Sequence, residues 1–165
     1  MALRLEAVDN TNWREMIALK VHEGQEKFVA PAVRSLAMCY VRVWSDEYDY
    51  LPFVIRGDDA VVGYVTLVCD PTSADDYWID DILIDASQQG KGYGRIALDL
   101  VLRLIADRYR RCEKIRLTCF RGNVNAETLY LSVGFVKTGR LTPVFGEPEY
   151  ALSGPALEKF QTKVN

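Results

Sequence analysis

The sequence predicts a single domain of the α/β or α+β class, in which strands and helices share one mixed sheet and one core. Strand-like and helix-like patterns alternate along the chain, and no repeat or shift in composition marks a domain boundary. At 165 residues the chain can bury a sizeable core, so we expect one domain over residues 1–165. A composition of 49% hydrophobic and 26% charged residues excludes a disordered or collagen-like protein.

The first third of the chain carries the patterns of one strand and two helices. Weak alternation predicts a strand over residues 4–8, and residues 9–11 offer capping side chains for a helix over residues 13–20. A polar connector over residues 21–25 follows. Apolar side chains then recur at intervals of three and four, which predicts an amphipathic helix over residues 32–43.

The middle of the chain predicts a hairpin, a further strand and a long helix. Two runs rich in Val and Tyr, residues 52–55 and 60–69, flank a turn at residues 57–59. Another strand is expected over residues 77–85. A helix over about residues 95–109 is apolar on nearly every side except one stripe of alternating charges, so we expect most of it to be buried.

The last third predicts one strand, one helix and a closing pair of strands. The strand is expected over residues 114–120, and a turn leads into a helix over residues 123–133. Short strands at residues 135–136 and 149–152 complete the sheet. The tail from residue 155 is expected either to form a short helix or to fray.

The uneven distribution of charge bears on the binding partner. The net charge of −3 gives no general reason to bind nucleic acid, and the one local excess of Arg, residues 108–111, suits a helix end. Residues 57–90 contain no Lys or Arg but eight Asp. Most of these suit solvated loops, whereas Asp80 and Asp81 stand inside an apolar run, where a carboxylate needs a partner or a function. This acidic stretch favours a cationic small molecule as the binding partner.

Cysteine usage and hydropathy predict a protein of a reducing compartment. The four cysteines are scattered without a CxxC pair, which favours buried thiols, and with His22 as the sole histidine no metal site is expected. No run approaches the roughly 20 apolar residues that span a bilayer, and the first residues lack a secretory core. We therefore expect a cytoplasmic protein with no membrane partner.

A glycine-rich turn before the long helix predicts an anion site. Gly90, Gly92 and Gly94 allow the backbone to approach a ligand closely, and the free N–H groups in the first turn of a helix attract phosphate. The spacing matches neither GxGxxG nor GxxxxGK[ST], which disfavours dinucleotide binding and ATP hydrolysis. The pyrophosphate of another ligand is the remaining prediction.

Two motifs, in order, resemble the GNAT superfamily of N-acetyltransferases. The first resembles its acetyl-CoA signature and the second its fourth conserved segment: Gln89-x-x-Gly92-x-Gly94 and Asn123-x-x-Ala126-x-x-Leu129-Tyr130. The resemblance covers residues 3–152 and implies acetyl-CoA as the cofactor. It also implies a central, splayed, mostly antiparallel sheet of six to seven strands flanked by about four helices.

Two further features are similar to the bacterial spermidine/spermine branch of that superfamily. These are the adjacent acids within residues 79–84 and the loop motif Gln25-x-x-Phe28. They imply direct acetyl transfer, in a ternary complex, to a primary amine of a small cationic acceptor, with a polyamine as the leading hypothesis. An aminoglycoside-like antibiotic, a protein N-terminus or lysine, and an acetyl-CoA-binding regulator without turnover are the alternatives. Many relatives pair through the segment that matches residues 144–152, so a homodimer is also an expectation.

The resemblance assigns catalytic roles to two residues. A free alkylammonium has a pKa of about 10.4, so acetylation needs a proton acceptor, and Asp80 matches the base of the polyamine enzymes. That base is usually Glu, which is one methylene longer, so Asp80 is expected to act directly or through a bridging water. Asp81 would hold the substrate ammonium, or the two would exchange roles. Tyr130 matches the proton donor to the departing thiolate.

The other expected site residues form two groups. The acceptor site is covered by a loop that contributes His22, Glu23, Gln25 and Phe28. The cofactor is bound by Ile82, Leu83, Ile84, Gln89, Gly90, Lys91, Gly92, Tyr93, Gly94, Asn123, Ala126 and Tyr130. Five aromatic residues either wall the methylenes of the acceptor or lie in the core: Tyr48, Tyr50, Tyr64, Tyr77 and Trp78. No cysteine is expected near the catalytic motifs in a position that suggests a covalent acyl-enzyme, and Cys69 and Cys119 are expected to be strand residues.

Overall fold

The backbone is described over residues 2–58, 60–143 and 145–161 of a computed structural model. The described strands are β1 (Arg4–Ala7), β2 (Asp49–Arg56), β3 (Val61–Cys69), β4 (Tyr77–Ile84), β5 (Lys114–Thr118), β6 (Val136–Leu141) and β7 (Pro148–Ser153). The described α-helices are α1 (Trp13–Ala18), α2 (Ala32–Val41), α3 (Tyr93–Arg108), α4 (Val124–Val133) and α5 (Pro155–Glu158), and a short 3₁₀ helix spans Ala86–Gln88. Asp59 of the predicted turn, Val144 of the predicted pairing segment and residues 162–165 of the tail lie outside the described residues.

These strands form one mixed sheet in the order β1-β2-β3-β4-β5-β7-β6. Strands β1 to β4 pair antiparallel in sequence order, as do β5 with β7 and β7 with β6. The pairing of β4 with β5 is parallel. The predicted mixed, mostly antiparallel sheet is therefore confirmed, and α5 shows that the tail begins with the short helix.

The sheet splays open between β4 and β5. The two strands pair from Tyr77 with Ile115 to Ile79 with Leu117. Within the described residues, β4 then runs on to Ile84 with no partner strand on this side. A backbone edge left open in this way can hydrogen-bond an extended ligand.

A β-bulge reverses the faces of β4 in its middle. Asp81 and Ile79 are opposite consecutive residues of β3, which leaves Asp80 as the extra residue. Ile79 packs into the core on the α3 side, whereas Leu83 packs into the core beneath α1 and α2. Since residues 79, 81 and 83 would otherwise share one face, the bulge is what turns Asp81 toward α2.

Helices cover both faces of the sheet. On one face α3 packs with α4 against β3, β4 and β5 through five buried residues: Leu98, Val101, Leu102, Ile105 and Ala106. A sixth, Ala97, packs against Leu3, Ile55 and Val62. The helix is less buried than predicted, since six of its 16 residues are buried and even Ile96 is exposed. On the other face, Met16 of α1 and Ala32 of α2 pack against Val54, Tyr64 and Leu83. Burial of these apolar side chains provides the main stabilisation of the fold.

Two helix boundaries differ from those predicted. The residue before α1 is Asn12, and its side chain makes no capping bond, because its Oδ1 accepts from the Asp9 N–H instead. Residues 9–11 therefore do not cap α1. Helix α2 ends at Val41, because Arg42 adopts a left-handed conformation with φ of 53°.

Two strands are longer than predicted. β2 begins at Asp49 and continues through Pro52, whose carbonyl accepts from the Val8 N–H just beyond the end of β1. The proline nitrogen carries no hydrogen, so this pairing keeps only the bond from Val8, at the end of β1, where a proline is tolerated. β6 extends over Val136–Leu141 rather than residues 135–136; all six residues are exposed, so the strand has no apolar alternation to predict it.

The state of the cysteines bears on the predicted compartment. All four cysteines are free thiols. Over the described ranges, no helix has the length and apolarity needed to cross a bilayer. Among the described residues, no group of three or more His, Cys, Asp or Glu side chains is arranged so that it could hold a metal ion.

Candidate active site

A cavity of about 1140 Å³ opens where β4 and β5 separate. It is lined by the second half of β4, the glycine turn with the first residues of α3, and the first half of α4. The loop over residues 25–31 and the β6–β7 loop close its remaining sides. The splay of the sheet thus gathers segments that are distant along the chain around one space large enough for more than one small molecule.

Most of the predicted site residues line this cavity. They are Gln25, Phe28, Asp80, Asp81, Ile82, Leu83, Ile84, Gln89, Gly90, Gly92, Tyr93, Gly94, Asn123, Ala126 and Tyr130. Three predicted residues are exposed and do not line it. His22 and Glu23 lie in the turn ahead of Gln25, and the Lys91 ammonium donates to Gln88 Oε1 at 2.9 Å. The geometry therefore gives no support to binding roles for these three.

The glycine turn leaves backbone donors without partners at the wall of the cavity. Gly90 and Gly92 have φ of 76° and 78°, in the left-handed region that favours glycine. Among the described residues, the N–H groups of Gly90, Gly92 and Gly94 donate to no other group. They stand at the start of the 16-residue α3, where the helix dipole adds positive potential. This end of α3 fits a phosphate or a pyrophosphate.

Asp80 is an acid of the cavity wall that has no bonding partner of its own. Asp80 is the extra residue of the bulge, and its carboxylate hydrogen-bonds no other described residue. Burial, reinforced by the neighbouring charge of Asp81, raises the pKa of Asp80 to about 7, while the Arg34 guanidinium acts in the opposite direction. A carboxylate that titrates near neutral pH is suited to accept a proton during a reaction.

Asp81 is adjacent to Asp80 but is held by α2. The Ser35 hydroxyl donates to Asp81 Oδ2 at 2.6 Å, and Ser35 is only 1% exposed. Burial raises the pKa of Asp81, and the Ser35 hydrogen bond and the charge of Arg34 oppose that rise. The two adjacent carboxylates therefore differ: one is bonded inside the protein, and the other is free in the cavity.

Tyr130 projects from α4 into the same cavity. It is 7% exposed, and its ring packs against Phe135 and Tyr150 with centroid distances of 6.1 and 6.5 Å. Its hydroxyl hydrogen-bonds no other described residue. Burial raises the pKa of the phenol, so the hydroxyl keeps its proton at neutral pH. Asn123 Oδ1 accepts from the Ala126 N–H at 3.4 Å and so caps the helix that carries Tyr130.

Comparison with known families identifies the chain. Residues 13–135 match the acetyltransferase (GNAT) family. The chain belongs to this family. The prediction from the two motifs is confirmed, and the cavity between β4 and β5 is the candidate active site of a GNAT N-acetyltransferase.

Three known proteins show how far the similarity extends. The spermine/spermidine N(1)-acetyltransferase of Bacillus subtilis (strain 168) is 27% identical over 146 residues, which cover 86% of this chain and 92% of that protein. The spermidine N-acetyltransferase from Vibrio cholerae, solved with CoA and spermine, has a TM-score of 0.70 at 18% identity, covering 94% of this chain and 98% of that one. An aminoglycoside acetyltransferase solved with coenzyme A has a TM-score of 0.75 at 17% identity, covering 96% and 98%. The fold of the GNAT enzymes is thereby confirmed.

One cysteine of this GNAT chain does line the active-site cavity. Cys119 directly follows β5, and its thiol donates to the carbonyl oxygen of Asn123 at 3.8 Å. The expectation that Cys119 is a strand residue is therefore wrong, because β5 ends at Thr118. Burial, with a contribution from Glu127, raises the pKa of Cys119 to about 11. A protonated thiol is a poor nucleophile, which still disfavours an acyl-enzyme.

Several lining residues were not predicted. They come from α2 and the segment after it, and from the β6–β7 loop: Arg34, Met38, Trp44, Phe145 and Glu147. The periodicity of α2 predicts a helix but not which of its exposed side chains faces a cavity. Glu147 is placed by β5, since the Thr118 hydroxyl donates to its Oε2 at 2.6 Å. This contact links residues that are distant in sequence, and no local pattern signals it.

Of the five aromatic candidates, Trp78 lines the cavity, where its ring meets that of Trp44 edge to face at 5.6 Å. Tyr64 and Tyr77 lie in the core. The hydroxyls of Tyr48 and Tyr50 hydrogen-bond loop residues instead, and these two side chains do not line the cavity. The expectation of a core position therefore holds for Tyr64 and Tyr77, the expectation of a cavity wall holds for Trp78, and Tyr48 and Tyr50 meet neither.

Proposed function

We propose that this acetyltransferase moves the acetyl group of acetyl-CoA onto a primary amine of a small cationic acceptor, with polyamines such as spermidine and spermine as the preferred class. The observation that carries the proposal is that the free carboxylate of Asp80 shares a cavity with the unpaired N–H groups at the start of α3. The first suits a cation and the second a diphosphate. The relatives named for spermine and spermidine support this choice of acceptor.

Backbone groups along one path in the cavity would bind acetyl-CoA. When bound, this cofactor supplies an acetyl group activated as a thioester. The N–H groups of Gly90, Gly92 and Gly94 would bind its diphosphate. The backbone of β4 from Ile82 to Ile84, open toward β5, would pair with the amides of its pantetheine arm. The residues present therefore fit the cofactor, and this path leads toward Asp80 and Tyr130.

Asp80 is proposed to take the proton of the acceptor ammonium, directly or through one water. Proton transfer from an amine of pKa about 10.4 to an ordinary aspartate would be strongly unfavourable. Raising the pKa of Asp80 from the usual 3.8 to about 7 reduces this cost by about 4 kcal/mol. Above pH 7 most Asp80 carboxylates remain ionised and able to accept the proton.

Tyr130 is proposed to donate to the departing sulfur. Its hydroxyl is protonated and has no other described partner, so nothing in this part of the chain competes for its hydrogen. Because burial makes the phenol a weak acid, we infer that its contribution begins as a hydrogen bond and ends as proton transfer once charge builds on sulfur. Cys119, on the same cavity wall, would remain a neutral thiol throughout.

The cavity around Asp80 also supports the cationic class of acceptor. Glu26 and Glu147 line it with the Asp pair, and Trp44 and Trp78 provide apolar walls for methylene groups. The same features would accept a bulkier polyamine-like molecule such as an aminoglycoside, and the volume of about 1140 Å³ favours that alternative as the second candidate.

The test is release of free thiol from acetyl-CoA in the presence of spermidine, spermine, an aminoglycoside, or a peptide with a free N-terminus and a lysine. We expect the highest kcat/KM with spermidine or spermine. A higher value for the aminoglycoside or the peptide would reassign the acceptor. Saturable binding of acetyl-CoA in calorimetry, with no thiol release for any amine, would mark the chain as a regulator.

We also infer that the protein acts in the cytoplasm and pairs as a homodimer. The four free thiols support a reducing compartment. β6 supports pairing, because this edge strand is exposed over its whole length and includes Val136 and Leu141. Sedimentation equilibrium tests the dimer, and a monomer at micromolar concentration would contradict it.

A further inference from the structure

A buried polar chain connects α2 to the acidic pair of β4. Ser35 donates to Asp81 Oδ2 at 2.6 Å, and its oxygen lies 3.4 Å from the hydroxyl oxygen of Tyr64. Tyr64 in turn donates to the carbonyl of Ala30 at 2.7 Å. Ser35 is 1% exposed and Tyr64 is fully buried. Both ends of this chain are therefore fixed by packing, and Asp81 is held from within the protein.

The bulge gives the two adjacent carboxylates, which both line the cavity, different hydrogen-bond partners. Asp81 returns to the strand register and accepts the Ser35 hydroxyl. Asp80, the extra residue, bonds no other described residue and lines the cavity. A hydrogen-bond donor at one carboxylate stabilises its ionised form, whereas the partner without a donor must rely on solvent or ligand. The geometry thus distinguishes a carboxyl group with a bonded donor from one without.

Resting on the proposed acetyl transfer, we propose that Asp81 is a positioning residue. The Ser35 hydroxyl stabilises the charged form of Asp81, and that charge makes Asp80 the proton acceptor, without Asp81 itself binding the acceptor amine. This differs from the ammonium-binding role that the family resemblance implies for Asp81. It also gives Ser35, which does not line the cavity, a defined effect on the reaction.

Groups from every neighbouring element face the Asp pair. They are Arg34 and Cys39 from α2, Tyr64 from β3, Tyr130 from α4, and Glu147 from the β6–β7 loop. Cys39, Tyr64 and Tyr130 are neutral at pH 7, since burial raises the pKa of each. Arg34 is the one cation of this set, and it is exposed, so solvent screens its effect.

The negative charges acting on Asp80 are those of Asp81 and, more weakly, of Glu147. Asp80 must lose its proton before it can act as a base, so kcat/KM rises with pH as it ionises. Removing the negative charge of Asp81 favours the ionised form of Asp80, because two like charges no longer have to coexist. The acidic limb of the pH profile should therefore move to lower pH when Asp81 loses its charge.

The experiment compares Asp81→Asn, Ser35→Ala, Ser35→Thr and the control Asp58→Asn, which makes the same chemical change at an exposed turn. Two readouts are used: the pH profile of kcat/KM for spermidine and the ¹³C titration of the Asp80 carboxyl by NMR. In Asp81→Asn we expect both to move to lower pH by about one pH unit. Ser35→Ala should move both readouts to lower pH by a smaller amount. Without the Ser35 hydroxyl, Asp81 keeps its proton, and so stays neutral, to higher pH. Ser35→Thr retains the hydroxyl and should restore the wild-type profile, as should Asp58→Asn.

Two results would overturn the inference. One is an Asp81→Asn enzyme that is active with an unmoved acidic limb. The other is a tenfold or greater rise in KM for spermidine with the Asp80 titration unchanged, which would return Asp81 to ammonium binding. Absence of thiol release by the wild type with every amine would instead refute the proposed function. The carboxyl titrations distinguish these failures, because they measure the coupling of the two acids without turnover.

Discussion

The side-chain amides of Gln25 and Gln89 hydrogen-bond each other in both directions. Gln25 Nε2 donates to Gln89 Oε1 at 3.2 Å, and Gln89 Nε2 donates to Gln25 Oε1 at 3.0 Å. Gln89 Nε2 also donates to the carbonyl of Ile84 at 3.0 Å, which ties the pair to the end of β4. The loop proposed to cover the acceptor is thus joined to the turn proposed to bind the diphosphate.

The first prediction tests this link. Gln25→Ala removes two hydrogen bonds to Gln89 but no group from the glycine turn, and we expect it to weaken acetyl-CoA binding roughly fivefold, which corresponds to about 1 kcal/mol. Calorimetry on Gln25→Ala, Gln89→Ala and the double variant forms a double-mutant cycle. The effects should be less than additive; fully additive effects would show that the two amides act independently.

The second prediction concerns the left-handed glycine before α3. Gly92 and Gly24 have φ of 78° and 84°, and an added Cβ would meet no atom within 4 Å at either position. Alanine at each should therefore cost about 1 kcal/mol of unfolding free energy from backbone strain alone. Only Gly92→Ala should also weaken acetyl-CoA binding, by roughly tenfold, because it distorts the anion site. Equal affinities for the two variants would place the diphosphate elsewhere.

The sequence is informative about elements whose patterns are local. The periodicity of α3, the Val- and Tyr-rich run of β3 and the glycine motif all depend on neighbours within one element. The exposed strand β6 has no such pattern, and it forms because β7 offers an edge. The position of the β4 bulge also cannot be predicted from a local pattern, because it depends on pairing with β3.

The same contrast between local patterns and long-range contacts applies to the candidate active site. Motif residues such as Gln89, Asn123 and Tyr130 could be assigned from sequence because a family resemblance fixes their context. Ser35, which does not line the cavity, and Glu147, which does, are placed by contacts with Asp81 and Thr118 across tens of residues. A serine in an amphipathic helix has no sequence signature of such a contact, so tertiary structure is needed to find it.

The third prediction is the pH dependence of acetyl transfer. Because the pKa of Asp80 is raised to about 7, kcat/KM for spermidine should fall tenfold for each pH unit below about pH 6. Asp80→Asn should lower kcat by roughly 100-fold and abolish this acidic limb. Rates of thiol release between pH 5 and 9 measure both. An Asp80→Asn enzyme with wild-type turnover would exclude Asp80 as the base.

The fourth prediction follows from the cost of ionising the same group. The pKa of Asp80 is higher in the folded chain than its usual 3.8, so the folded state binds the proton more tightly than the unfolded state. The protonated Asp80 contributes fully to the unfolding free energy below about pH 4, and this contribution is lost as the pH rises to about 7. The loss is at most about 4 kcal/mol. Asp80→Asn should therefore be more stable than wild type at pH 8 but not at pH 4, as measured by urea unfolding. Equal stability at pH 8 would mean that Asp80 ionises without penalty.

The fifth prediction contrasts two tyrosines of one aromatic cluster. Tyr130 and Tyr150 have ring centroids 6.5 Å apart, but only Tyr150 has a described hydroxyl partner, donating to Glu127 Oε1 at 2.7 Å. Tyr130→Phe should lower kcat by roughly 100-fold while the Kd for acetyl-CoA and the unfolding free energy stay near wild type, because no described hydrogen bond is lost. Tyr150→Phe should do the reverse, costing about 1 kcal/mol of stability with turnover preserved. Thiol-release kinetics and urea unfolding on both variants give the comparison, and unchanged turnover in Tyr130→Phe would remove its hydroxyl from the mechanism.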